Sequence, residues 1–241
     1  MNIVFFGAII LPARKADEFS VKQLAILTKN ATLSVRDWAL DSFEEDLTLT
    51  LKNFSEAIRI LDNRWDDSRE RAIDFFQKMF DESFWNSQRT IAVCDNVYPD
   101  VQRFGRDLVS RFFNEDQGEE YLVKLSQHPS ANVQLFVSGF LKEYASDKPN
   151  IILSLQPYFT SVLSQVNRGR IIKDRIISFL FDEAQKNAEV AKMVAELFSD
   201  QSISMVINDK MQYIKTLFKL QKQFTGIKTP VVVIEPEIRA I

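Results

Sequence analysis

One cysteine, one histidine, six glycines and seven prolines are all that 241 residues supply, and each shortage closes off a class of protein. Cys94 alone cannot form an intrachain disulfide, and a reducing compartment suits it, so a cytoplasmic setting is expected. It stands on an apolar helical face between Ile91 and Val97, which reads as a core position. One thiol and one imidazole are too few for a Cys/His metal cluster. The imidazole, His128, precedes Pro129 where a helix should end, and there it can serve the helix C-terminus. The scattered glycines form no phosphate-binding loop, dinucleotide fingerprint or nucleophile elbow. Neither a cofactor nor a metal is expected. So few glycines and prolines also argue against an all-β fold built on tight turns. The longest apolar run near the start, Ile3 to Leu11, has no basic residue before it and is too short to cross a bilayer. It is expected to pack on the fold or to be the remnant of a longer multidomain ancestor, and no membrane partner is expected.

What the chain does have is apolar residues (46%) and charged residues (26%) in the proportions of a folded soluble domain. The charge is unevenly spread. Residues 1–120 hold 15 Lys/Arg against 22 Asp/Glu, a balance of −7, and residues 121–241 hold 15 against 11, a balance of +4. Such asymmetry suggests two different surfaces.

The chain also repeats itself. Arg36–Phe43 reads RDWALDSF and Arg69–Phe76 reads RERAIDFF, at a distance of 33 residues. Ser34, Asp67, Asp100 and Asn132 precede equivalent segments and are all helix N-cap types. One residue later come Val35, Ser68, Val101 and Val133; five past the cap stand Ala39, Ala72, Gly105 and Val137; nine past it stand Phe43, Phe76, Val109 and Leu141. These offsets share one face of a helix, with a small residue at its middle where a neighbouring helix can approach closely. An apolar helix is expected before each cap, over Val21–Lys29, Phe54–Asn63, Ser87–Asn96 and Glu119–His128. Pro99 and Pro129 fall in the turns between. The unit is helix, short turn, helix, and the pattern predicts an all-α chain with at least roughly 65% of its residues in helix.

The turn-and-second-helix pattern in SVRDWA, DVQRFG and NVQLFV resembles that of the HEAT-repeat (armadillo-type) family, over residues 20–146. The resemblance implies a right-handed α-solenoid of about five to six helix pairs. Past residue 146 the period drifts, yet Pro149–Val166 with Gly169–Ala184, and Ala188–Ser199 with Asp209–Phe224, still read as pairs. The expected organisation is an apolar segment (1–18), regular repeats (19–146), divergent capping pairs (147–225) and an extended tail (226–241). The tail run Thr229–Ile238 is β-type, fenced by Pro230 and Pro236.

Two surfaces are candidate sites. Asp37, Glu70 and Arg103 stand three past the caps, and Asp41, Asp74 and Asp107 seven past them, so the six share a stripe across three stacked helices. It is either a solvated helical face or an acidic ridge for a basic segment of a partner protein. The second is basic. Arg168, Arg170, Lys173 and Arg175 open one helix, and Lys215, Lys219 and Lys222 line one face of another. That is either a solubilising cap or a place for a polyanion. Trp38, Trp65 and Trp85 read as core residues or as binding anchors.

The expected function is a non-enzymatic interaction module or scaffold that holds a protein partner on the second-helix surface. The alternative is action on nucleic acid. Trp65–Asp66–Asp67 is faintly similar to the Trp and Asp side chains of HEAT-like DNA glycosylases of bacteria, although that family's groove is basic and this stripe is acidic.

Overall fold

The computed structural model describes residues 14–166, 169–204 and 209–229, apart from the side chain of Glu115. The run Ile3–Leu11, Arg168 and the tail from Pro230 lie outside the described residues. Of the described residues 75% are helical, and none lies in a strand. The all-α expectation therefore holds. The chain divides into two compact units, Met1–Asn114 and Glu115–Ile241, so the fourth sequence repeat falls in the second unit.

In the first unit the helices are α1 (Val21–Leu27), α2 (Leu33–Glu45), α3 (Thr48–Lys52), α4 (Phe54–Ala57), α5 (Asp66–Met79), α6 (Ser87–Cys94) and α7 (Pro99–Phe112). A 3-10 turn, Ile58–Leu61, extends α4. The first helix of each pair packs on the second, α1 on α2 and α6 on α7, and the second helices α2, α5 and α7 lie side by side in that order. Ala39 and Ala72 are fully buried, and so is the glycine that continues their series. A Cβ on Gly105 would lie 2.7 Å from the backbone nitrogen of Cys94, so α6 and α7 touch backbone to backbone there. The core is aromatic where the second and third pairs meet: Phe76, Phe80, Phe84 and Trp85 pack together with Phe54. Each ring buries on the order of 150–250 Å². The short α3 was not expected, because TLTLK has the composition of a strand.

The second unit holds α8 (Gly118–Ser126), α9 (Ala131–Ala145), α10 (Pro149–Ser154), α11 (Gln156–Leu163), α12 (Arg170–Ala184), α13 (Ala188–Ile203) and α14 (Lys210–Gln223). Here too first helices pack on second ones, α8 on α9 and α13 on α14, while α9, α12 and α14 are successive neighbours. The expected helix Pro149–Val166 is broken at Leu155, because Pro157 in the next turn has no N–H for the helix ladder. Gly118 makes room for Tyr144, whose ring a Cβ would meet at 2.5 Å.

The drift of the period has a simple form. Second helices begin at residues 33, 66, 99, 131, 170 and 210, so the spacing is 33, 33, 32, 39 and 40. The extra residues include the added helix α10. The pairs continue; only their length changes.

Candidate functional site

The turns between paired helices share one construction. Asn30, Asn63 and Asn96 each accept, on the side-chain oxygen, the N–H two residues on: Thr32 at 2.9 Å, Trp65 at 3.1 Å and Tyr98 at 2.9 Å. The second unit repeats this with a histidine. His128 is buried, and its Nδ1 accepts from Ser130 N–H at 3.0 Å. The residue six places after each of these donates back to its carbonyl oxygen: Arg36 to Asn30 (3.2 Å), Arg69 to Asn63 (2.8 Å), Gln102 to Asn96 (2.6 Å) and Gln134 to His128 (2.6 Å). The single histidine is thus a turn-forming residue, as its place at a helix end suggested.

The two arginines also reach forward into the next repeat. Arg36 donates to Asp67 at 3.0 Å and to the Ser68 hydroxyl at 2.9 Å, and Arg69 donates to Asp100 at 2.8 Å. Both guanidinium groups are buried and lie on an aromatic ring, Arg36 over Trp65 and Arg69 over Tyr98. Asp67 and Asp100 are therefore not N-caps. Nor are Ser34 and Asn132: the caps lie two residues earlier than expected, at Thr32, Trp65, Tyr98 and Ser130, and the helices start at Leu33, Asp66, Pro99 and Ala131. The carboxylates at the second helical position, Asp67 and Asp100, are taken by arginines from the preceding repeat, where charge-assisted bonds are stronger than neutral caps.

This arrangement also accounts for Trp65, Asp66 and Asp67. Arg36 and Arg64 both lie over the Trp65 ring, Asp66 pairs with Arg69 at 2.6 Å, and Asp67 pairs with Arg36. Trp65 and Asp67 serve the junction between the first two repeats, while Asp66 pairs within its own helix and stays exposed. Trp38 meets Phe19 edge to face, and Trp85 is in the aromatic core.

The acidic stripe lies on α2, α5 and α7 as expected, with Asp41, Glu70, Asp74, Arg103 and Asp107 exposed and Asp37 half-buried. It is less repulsive than the sequence suggested. Arg71 reaches Asp37 (3.6 Å), Asp41 and Glu44 (2.8 Å), and Lys78 pairs with Asp74 at 2.7 Å. Counting Glu44, six carboxylates face the three cations Arg71, Lys78 and Arg103, a local balance of −3. Arg36 and Arg69, next to Asp37 and Glu70 in sequence, are turned inward and do not neutralise it. Beside the stripe lies a groove of about 430 Å³ lined by Leu47, Leu51, Met79, Phe80 and Phe84, together with Lys78 and Asp81.

The basic candidates separate. Lys173 is buried, with Nζ 2.5 Å from the Gln165 carbonyl oxygen and 3.2 Å from Asp209, so it cannot meet a polyanion. Its register places it toward the core, one turn from Ile177 and Ile176. Arg170 is exposed. Arg175 is tied to the Ser138 hydroxyl at 3.2 Å and the Leu135 carbonyl at 3.3 Å. Lys215, Lys219 and Lys222 are exposed along α14, with Lys219 over the Phe181 ring and Lys222 over Phe218. Reckoned by unit, the charge asymmetry also shrinks. The first unit has 15 Lys/Arg against 18 Asp/Glu (−3) and the second 15 against 15, because Glu115, Asp116, Glu119 and Glu120 fall just past the boundary.

Among the described residues no group of three or more His, Cys, Asp or Glu is placed to hold a metal, and no helix is long and apolar enough to cross a membrane. Burial pushes the Cys94 thiol up to about 12. Among the described residues the protein is all-helical, with helices packed against their neighbours within each of the two units. Comparison with family models, curated proteins and solved structures gave no match.

Proposed function

We propose that the protein is a non-enzymatic interaction module, a HEAT-like array whose second-helix surface in the first unit receives a basic segment of a partner protein. One observation carries this reading. Arg36 and Arg69, beside Asp37 and Glu70 in sequence, are spent inside the repeat junctions, and Arg71, Lys78 and Arg103 offset only part of the exposed carboxylates on α2, α5 and α7. Like charges gathered on one face favour an oppositely charged partner and speed its approach. An acidic, exposed ridge disfavours the alternative, binding of nucleic acid on the same face, because phosphates would be repelled. Trp65 and Asp67 of the glycosylase resemblance are also engaged with Arg36 in a repeat junction.

The test is charge reversal of Glu70, Asp74 and Asp107 together. Each exposed carboxylate alone is worth about 0.2–1 kcal/mol, so the triple variant should lose much more affinity than any single one. The protein that co-purifies with the tagged chain is titrated against both forms at two salt concentrations. Equal affinity of parent and triple variant would overturn the reading. Retention of the parent on a DNA column at low salt would favour the alternative.

A further inference from the structure

The terminal helix of a helical array ordinarily shows solvent a polar outer face. On α14, the last helix of the described residues, that face is part polar and part apolar. Tyr213, Thr216, Leu217 and Leu220 face inward. On the opposite side Met211 is 63% exposed and Ile214 37%, and half-buried Phe218 continues the stripe at helical spacing. A second stripe, Lys215, Lys219 and Lys222, runs directly beside it. From Lys210 to Thr229 the chain holds five lysines and no acid, and the aspartate that precedes them, Asp209, already pairs with Lys173. The surface is therefore an apolar strip about 10 Å long bordered by uncompensated positive charge.

The first unit carries the complementary form. Its groove exposes Leu51 (53%) and Met79 (42%). Its lining holds Asp81 and Lys78, the latter paired with Asp74, and exposed Asp46, Glu82 and Lys52 adjoin lining residues in sequence, so four carboxylates stand against two lysines. An apolar strip beside lysines meets an apolar groove beside carboxylates.

We infer that α14 of one copy docks on the acid-rimmed groove of the first unit of a second copy, with Met211, Ile214 and Phe218 in the groove and the lysines on its rim. This rests on the reading of the acidic face given above and makes one of its partners the chain itself. The contact is heterologous: each copy has one of each surface, so copies add head to tail and form a ring or a short filament.

The experiment is sedimentation of the full chain over a range of concentrations, at about 50 mM and about 500 mM salt. Three variants accompany it: Lys215→Glu/Lys219→Glu/Lys222→Glu on α14, Asp74→Lys/Glu82→Lys on the groove, and Ile214→Asp on the apolar strip. Circular dichroism confirms that each variant folds. The parent should self-associate, more strongly at low salt. Each variant should shift the midpoint of association at least about tenfold in concentration, and an equimolar mixture of the two charge variants should regain it. A parent that is monomeric throughout at low salt, or a mixture that does not recover, would overturn the inference. So would parental self-association that persists in the variants. Monomeric parent that binds phosphatidylserine vesicles through the three lysines would assign the α14 face to a lipid surface instead. Loss of self-association on deleting residues 230–241, with α14 intact, would move the contact to the tail. The two readings fail separately, because a heterologous partner lost on reversal of Glu70, Asp74 and Asp107 sustains the acidic face even when copies do not associate.

Discussion

The two units use one turn design and fasten it differently. In the first, a buried arginine closes each of the first two turns and reaches forward to a carboxylate of the next repeat, Arg36 to Asp67 and Arg69 to Asp100. In the second, the rung at Gln134 and His128 has the same geometry without charge. Longer-range ties there are dispersed: Lys173 to Asp209, Glu183 to the Asp147 N–H at 3.1 Å, and Gln201 to Ser164 at 3.2 Å. Regular spacing and charged junctions go together. A fixed period of 33 lets the same two residue types meet at every junction, whereas a period of 39 or 40 needs a new solution each time.

The sharpest way to break this contrast is to remove the side-chain donor from one rung in each unit. Arg69→Met strands Asp100 and leaves the Asn63 carbonyl without its buried donor. It should cost about 2–4 kcal/mol, because loss of one partner leaves a partly buried charge uncompensated. Gln134→Met removes one neutral bond to the His128 carbonyl and should cost only about 1 kcal/mol. All three tryptophans lie in the first unit. Denaturant titration followed by tryptophan fluorescence therefore reports that unit, and far-UV circular dichroism reports both. Equal losses for the two variants would mean that the arginines confer no more than the glutamines.

A smaller effect should follow from acid. Burial pushes the Asp100 carboxyl up, but the hydrogen bonds from Arg69 and the Val101 N–H outweigh it and hold the group below the usual carboxylate range. Asp67 is held low chiefly by the Ser68 N–H, against burial, with Arg36 adding to it. Both folded values are depressed. The stability these groups confer is therefore present above the unfolded value, near ~3.9, and is lost as pH falls through the folded values. The stability gap between parent and Arg69→Met should narrow as pH drops below about 4, because protonated Asp100 no longer needs its partner. Tryptophan fluorescence at a series of pH values measures it. A gap that stays constant would place the value of Arg69 in its packing on Tyr98 and not in its charge.

Much of this was legible in the sequence, and what was not has physical causes. The helix pairs and the small residues Ala39, Ala72 and Gly105 follow from apolar periodicity alone, and the structure buries them as expected. The capping roles of Asp67 and Asp100 did not follow, since a carboxylate at a helix start reads as a cap whether it binds its own backbone or a distant arginine. The signal for that was present in the spacing of Asn30, Asn63, Asn96 and His128, which is again 33, 33 and 32. Lys173 was misplaced because a lysine amid other basic residues looks solvated until the register of its helix is known. The neutralising role of Arg71 lies one position off the stripe and needs the packing of α5 against α2 to be seen. The groove depends on α3, whose strand-like composition hid it.

The smallest expected effect is a reaction that should not occur. Cys94 is fully buried at the point where α6 and α7 touch, with its sulfur 2.8 Å from where a Cβ on Gly105 would stand. Burial disfavours the thiolate, Asp95 opposes it further, and Arg106 offsets this only in part, so the thiol is raised to about 12. The thiolate is the reactive form. At pH 8 a thiol reagent such as dithionitrobenzoate should therefore leave the native chain unlabelled over the time in which the unfolded chain reacts fully. Since this is the one thiol and it belongs to the first unit, labelling measures the opening of that unit alone. Gly105→Ala should accelerate it. The added methyl would stand 2.7 Å from a backbone nitrogen and 2.9 Å from the Cys94 Cα, and only movement of a helix relieves it. Overpacking of this kind costs about 1–3 kcal/mol, which raises the open population, and hence the labelling rate, about 5- to 150-fold. Arg69→Met should accelerate labelling as well, whereas Gln134→Met, in the other unit, should leave the rate unchanged. Equal acceleration by both would show that the units open together and that the charged junctions do not set the stability of the first unit apart.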